Sequence, residues 1–354
     1  VLAQILNEHG VASAATPTTS DARLFRLQYC ETDFDFVSRL LERLGIFYFF
    51  SHAAGGEQVS FANAAGSYVD LGLDAEFAGG HGGGVGRRVV RWQRRSETGP
   101  AKWKHDDYTW DLSDAATIAA TTPALNAGDK SWQKFASQQA AYDFPGWHET
   151  SEEATAHTKA RMLADEVGLD VAHGTGGYEE FRPGAVFTLK QSAAGVSPWI
   201  TEEQAGKYVV TAIRHAAWDP TLRDAIAGFS DDIGSLREFA AGGDGAESVG
   251  YVNEFTAIPS TVAYAPPWRT PMPRIHGPQQ AIVLDTHDPD QLARVKVSFM
   301  FTDKDAKPVE SHWLRVPQLL AGKDYGGLFI PREDDEVIVG FLDGHPDRPV
   351  LLGG

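Results

Sequence analysis

The sequence predicts a chain that is mainly β with some α, an α+β architecture, and three observations carry the prediction. Two amphipathic stretches, residues 31–45 and 151–168, hold helix start and stop signals and are each followed by short strand-like runs. Pro259, Pro266, Pro267, Pro271, Pro273 and Pro278 crowd one segment. Beyond it, apolar residues alternate in short runs divided by Gly and Pro, the pattern of a small all-β domain. A length of 354 residues accommodates about two or three domains.

Taken in order, Leu2, Ile5 and Leu6 share a helical face, and the Ala-, Ser- and Thr-rich residues 13–20 read as a loop. In residues 31–50, Thr32 or Asp33 caps a helix start, and Val37, Leu40, Leu41 and Leu44 recur at helical spacing. Gly45 supplies a left-handed stop, and residues 46–50, short and aromatic, suit a buried strand. A glycine-rich loop over 79–86 precedes a basic stretch, Arg87 to Lys104, with Trp92, Trp103 and Trp110 interleaved; residues 114–139 carry no clear signal. The second helix spans 151–167, with Glu152 and Glu153 in the first turn, where negative charge complements the helix dipole. Its apolar face is Ala156, Ala160, Leu163 and Val167, and Gly168 ends it. Strands are expected at 169–173, 185–189, 208–217 and 251–255, with an acidic, small-residue stretch at 219–247.

The proline-crowded segment favours an extended, semi-rigid linker. After it, strands are expected at 281–284, 295–299, 314–316, 328–330, 337–341 and 350–352. So small a domain protects its strand edges best by closing into a barrel.

Composition excludes several classes. The chain is 42% hydrophobic and 22% charged, as soluble globular proteins are, and no run of apolar residues is long enough to span a membrane. The first residues carry no basic region and no long apolar core, so they are no signal peptide. The start at Val1 and the end at Leu351-Leu352-Gly353-Gly354 suggest a piece of a longer protein. Cys30, the single cysteine, rules out an internal disulfide, fits a reducing compartment and reads as a buried structural thiol. The net charge of −17 argues against general nucleic-acid binding.

Each catalytic motif lacks its partners. His81-Gly82-Gly83-Gly84 matches an esterase oxyanion motif, but no Gly-x-Ser-x-Gly elbow accompanies it, and no Gly-Lys-Ser/Thr makes the loop a phosphate cradle. The basic stretch reads as a strand with one solvated basic face and Trp92 packed inward, with a single-stranded nucleic-acid surface as the alternative. The histidines show no zinc-binding spacing. Asp285, Asp288 and Asp290 lie in a hairpin turn without the glycine of a calcium loop, and Asp334, Asp335 and Glu336 read as a solvated turn. No cofactor, no metal and no catalytic residue is assigned.

Residues 314–316, 321–323, 326–332, 336–339 and 341–350, the last reading Phe-Leu-Asp-Gly-His-Pro-Asp-Arg-Pro-Val, closely resemble the OB-fold barrel of VgrG proteins, the spike-tip proteins of type VI secretion systems. Gln28-Tyr29, residues 31–34, 38–41 and 45–50, Pro183-Gly184 and residues 255–259 resemble the hub region of that family. Ala293, Asp334 and His345 depart from it at positions where the family usually has Gly, Gly and Asp. The resemblance implies a phage-hub-like β-barrel domain over 1–258, a Pro-rich linker over 259–273 and an OB-fold barrel over 274–354 that precedes a β-helical needle. It implies a structural, non-enzymatic spike: a homotrimer that caps the Hcp tube, carries a PAAR protein through the needle and delivers effectors, directly or through adaptors, by puncturing target membranes. Such a spike is cytoplasmic during assembly and then secreted or driven into the target cell, without stable membrane insertion of this part. The alternative is an effector-bearing VgrG with an enzymatic domain beyond this stretch. Phe329, Ile330, Pro331 and Arg332 are the candidate interface residues, from their aromatic and arginine content.

Overall fold

The computed structural model describes residues 1–15, 25–53, 56–77, 87–108, 117–123, 139–191, 200–201, 204–217, 251–301, 308–322 and 324–354. The chain divides into two compact units, Val1–Thr18 with Leu41–Trp268, and Thr19–Leu40 with Arg269–Gly354. The expected loop 79–86, with the His81–Gly84 motif, Trp110, and the acidic stretch 219–247 lie outside the described residues.

The first unit opens with α1 (Leu2–Glu8) and β1 (Ser13–Ala15). The loop expected over 13–20 therefore begins as a short strand. Helix α2 (Asp33–Arg43) follows in the chain, its residues 33–40 counted with the second unit, and is started by a reciprocal cap: Thr32 Oγ1 accepts the Asp35 N–H at 3.1 Å and donates to its carboxylate at 2.8 Å. Gly45 ends it at φ 66°, and a Cβ there would lie 3.0 Å from that of Ala160. The stop thus needs glycine both for its backbone and for its contact. Next come β2 (Phe47–Ala53) and β3 (Gly56–Ala62), an antiparallel pair to which β1 adds in parallel. Ile46 and Phe47 are buried, but Tyr48 and Phe50 are exposed. The aromatic strand expected to be buried is covered on one face only, because successive strand side chains point to opposite faces.

After β4 (Val69–Phe77) and β5 (Val89–Ser96), strands β6 (Lys102–Tyr108), β7 (Thr117–Pro123) and β8 (Ala140–Asp143) form a sheet in the order β7-β6-β8, against which α3 (Ser151–Val167) packs. The Thr150 side chain caps α3 by accepting the Glu153 N–H at 3.2 Å. Its boundaries match expectation, but its buried face does not. Ala156 is exposed, while Ala154, His157, Thr158, Ala160, Leu163 and Ala164 are buried. Thr158 tolerates burial on this face because its hydroxyl is satisfied within the helix, on the Ala154 carbonyl at 2.6 Å.

Strands β9 (Asp170–Gly176), β10 (Ala185–Gln191), β11 (Gly206–Ala217) and β12 (Tyr251–Pro259) join β4 and β5 in a closed six-stranded barrel, ordered β10-β11-β12-β9-β5-β4. Phe181, Phe187, Tyr208 and Phe255 fill it, and Trp92 lies 4.8 Å from the Tyr208 ring. Gly174 is the narrow point of the filling. A methyl there would sit 2.3 Å from Cζ of Phe255, so this ring occupies the space any other residue would need.

The second unit holds β13 (Gln279–Asp285), β14 (Lys296–Phe299), a two-residue ribbon β15 (Ala321–Gly322) and β16 (Tyr325–Gly326), β17 (Glu336–Phe341) and β18 (Pro349–Gly353). The sheet order is β14-β13-β17-β18. Residues 309–316 join its two edges. Val295 and Leu314 exchange backbone hydrogen bonds at 3.0 and 2.7 Å, and Leu351 N–H donates to the Arg315 carbonyl at 3.3 Å. Ala281, Val283, Val295, Val297, Phe299, Leu314, Val337, Val339 and Leu351 fill the interior, which is the alternation read from the sequence. Two expected strands are not formed: residues 314–316 contribute only an isolated bridge at Leu314, and residues 328–330 are irregular and exposed. Cys30, expected buried, is also exposed, at a backbone φ of 48°. Leu27 beside it is buried instead, its N–H held by Asp347 at 2.8 Å.

Candidate assembly surface

The largest concentration of exposed apolar side chains in the second unit lies on one hairpin. Leu319 is 94% exposed, Tyr325 65% and Phe329 67%, and Leu320, Leu328 and Ile330 are also exposed. The hairpin is nevertheless built, not loose. Its tip is the β15–β16 ribbon, extended by Gly327 N–H to the Leu320 carbonyl at 3.1 Å. Gln318 straps its base: the side-chain amide donates to the Phe329 carbonyl at 3.3 Å, and its oxygen accepts the Phe329 N–H at 2.8 Å. Arg332 N–H donates to Asp335 at 2.7 Å. Phe329 and Arg332 are thus exposed on a fixed backbone, with Pro331 half-buried between them. Exposed apolar residues at this density make the hairpin a candidate contact surface. At Phe329, the middle of the expected strand 328–330, both backbone polar groups bond to the Gln318 side chain and not to a neighbouring strand.

The other clusters are consumed by packing. In the basic stretch, Arg94 pairs with Asp170 at 2.5 Å, Arg87 with Glu180 at 2.5 Å, and Arg95 with Glu97. Trp92 is in the barrel filling, and the buried Trp103 donates its indole N–H to Asp165 at 2.5 Å. Arg161 stands 4.9 Å over both Trp103 and Trp268. Among the described residues, Trp92 and Trp103 are therefore committed to packing; Trp92 packs inward as expected, but the stretch forms two strands, β5 and β6, where one was read.

Three histidines meet in the first unit: His105, His148 and His157, all buried. Arg43, itself buried, donates through Nε to His157 Nδ1 at 3.3 Å and through its terminal nitrogen to the carbonyls of Gly146, at 2.6 Å, and Trp147. The His105 and His148 rings lie parallel, 6.4 Å apart, and Asp107 accepts the His148 N–H at 3.0 Å. Burial pushes His105 down to about 4; Asp143 opposes this, and His148, Arg43 and Arg161 add to it. These imidazoles are sealed from solvent, so their work is packing. Periodicity did not mark Arg43 or Arg39 as buried. Arg39 forms a fork on Glu31, both contacts at 2.8 Å, and the only available signal was an arginine one turn apart from another beside an apolar face.

The comparisons with known proteins fit this architecture. Residues 1–221 match the phage tail baseplate hub (GPD) family, and residues 279–354 match the type VI secretion system/phage-baseplate injector OB domain. The chain belongs to the phage baseplate hub family. Among its relatives, this hub chain is 30% identical across its whole length to the type VI secretion system spike protein VgrG5 of Pseudomonas aeruginosa, covering 43% of that protein. It is 28% identical, again across its whole length, to the actin cross-linking toxin VgrG1 of Vibrio cholerae, covering 30% of it. The chain thus spans less than half the length of these relatives. A solved E. coli protein, described as a component of the type VI secretion system similar to the T4 bacteriophage tail proteins gp27 and gp5, superposes with a TM-score of 0.54 at 17% identity, over 99% of this chain and 70% of that one. The VgrG resemblance and the two-part hub and OB-fold architecture read from the sequence are borne out. Among the described residues, no helix is long and apolar enough to cross a membrane.

Proposed function

We propose that this chain is the hub and collar of a type VI secretion spike: a homotrimer that caps the Hcp tube and, through a needle bearing a PAAR protein, carries effectors or their adaptors into target cells. In this reading it acts without catalysis, residues 1–258 serve as the hub, 259–273 as the linker and 274–354 as the collar. The carrying observation is the order of a hub barrel and an OB-fold barrel along one chain, in register with VgrG relatives from end to end. The exposed hairpin around Phe329–Arg332 supports assembly, since a surface with Leu319, Phe329 and Leu320 outward gains by burial against another copy. The spike works from the cytoplasm until sheath contraction expels it. A second reading, a VgrG that itself bears an enzymatic effector domain, is favoured by the toxin among the relatives.

The test is the solution mass of the chain with and without Hcp hexamer, for wild type, Leu320→Glu and Phe329→Glu. A trimer, or trimerisation on Hcp that both substitutions abolish, supports the reading. A strictly monomeric chain that never engages Hcp overturns it.

A further inference from the structure

Two turns of the OB-fold unit bring together a donor set that no sequence motif marks. Asp285 and His287 sit at the end of β13, and Glu333 lies far along the chain in the turn before β17. The backbone sets their separation: Asp334 N–H donates to the Val283 carbonyl at 3.0 Å, and Val283 N–H to the Asp335 carbonyl at 3.0 Å. Glu333 is thereby held opposite Asp285. His287 Nδ1 lies 3.3 Å from Asp285 Oδ1 and 3.4 Å from Glu333 Oε1, and the three ligand atoms are all within 4.8 Å of one another.

These spacings have a chemical meaning. Ligands bound tetrahedrally to zinc at about 2.0–2.1 Å are roughly 3.3 Å from one another. An imidazole nitrogen at that distance from two carboxylate oxygens already occupies one corner of such a site, with both edges set. Asp285 Oδ1 also accepts the His287 backbone N–H at 2.8 Å and feels the charge of Lys296, and zinc would compete with both. Arg294 is committed to Asp288, at 2.7 Å, and to Asp290, at 2.5 Å. Among the described residues, no lysine or arginine forms an ion pair with Asp285 or Glu333. One nitrogen and two carboxylates select a borderline cation over calcium or magnesium, which take oxygen ligands.

We infer that Asp285, His287 and Glu333 form a surface zinc site that clips the β13–β14 turn to the turn before β17, with a fourth position open to water or to a carboxylate or imidazole of a docking surface. The imidazole Nδ1 and two carboxylate oxygens supply three ligands, and binding releases the Nδ1 proton where it is held.

The test is calorimetric titration of the metal-stripped full chain with Zn²⁺ alone, with Mg²⁺ and Ca²⁺ as controls, repeated for His287→Ala and Glu333→Gln. Co²⁺ substitution adds a visible spectrum that reports tetrahedral geometry. His287 is 85% exposed, so both variants keep the fold, and an unchanged thermal midpoint without metal verifies it. The expected result is one saturable Zn²⁺ site, weakened more than about tenfold by either substitution, with a raised thermal midpoint in the wild type only. Absence of saturable Zn²⁺ binding overturns the inference. So does zinc binding that survives His287→Ala, which would place the metal on other histidines, or equal binding of Ca²⁺.

Discussion

The carboxylate of Asp347 accepts the backbone N–H of Leu27 at 2.8 Å, joining residues 320 positions apart in the sequence. Both groups are buried, and Arg26 lies 3.9 Å from the same carboxylate. Asp347 therefore holds residues 25–31 to the OB-fold unit. Asp347→Ala leaves a buried N–H without its acceptor, a loss of about 2 kcal/mol. Denaturant unfolding of this unit should show that loss, and amide exchange should rise at residues 25–31. Asp347→Asn, which keeps an acceptor oxygen, should recover part of it.

Gly174 and Phe255 form the tightest point of the six-stranded barrel. Gly174→Ala places a methyl within 3 Å of three ring atoms, the nearest at 2.3 Å. Overpacking of this kind costs about 1–3 kcal/mol. Adding Phe255→Leu should restore part of the stability, and a double-mutant cycle on the thermal midpoint measures that coupling.

Acid should weaken both units over the same range. Burial lowers His105 in the first unit and His312 in the second to about 4, with Arg348 and Arg294 adding to the shift at His312. The unfolded chain protonates these rings near pH 6.5, so between about 6.5 and about 4 it binds more protons than the folded chain. The stability from keeping them neutral is complete above 6.5 and lost as pH falls to 4. For His105 the full loss is about 3 kcal/mol. Urea midpoints taken stepwise from neutral pH to pH 4 should fall, and His105→Phe should flatten that fall for the first unit alone.

One substitution should stabilise the chain. Ala293 holds a φ of 56°, a conformation in which a Cβ crowds the following carbonyl. Ala293→Gly relieves that crowding at a cost in unfolded-chain entropy, for a net gain of about 0.5–1 kcal/mol. The thermal midpoint should rise accordingly.

The elements that could be read from the sequence are those whose cause is local. Helix α3 was bounded because Glu152, Glu153 and Gly168 all signal within one turn of its ends. The alternation through Val295, Val297 and Phe299 gave the OB-fold interior because one face is apolar and the other solvated. Ala156 was misplaced because its burial depends on what the sheet presents to the helix, which periodicity does not contain. Residues 328–330 were read as a strand because apolar content does not reveal that the Gln318 side chain takes both backbone bonds of Phe329. The donor set of Asp285, His287 and Glu333 left no trace in spacing, since two separate turns assemble it.

The OB-fold barrel has a seam. On the β14 side, residues 309–316 exchange several backbone bonds with the strand, but on the β18 side the described closure is the 3.3 Å contact of Leu351 with Arg315. Side-chain packing of Leu314 and Leu351 holds that side shut, not a ladder. Hydrogen bonds resist shear along strands, whereas packing yields to peeling. A load applied to the carboxyl-terminal strand would therefore be borne well along its axis and poorly across it.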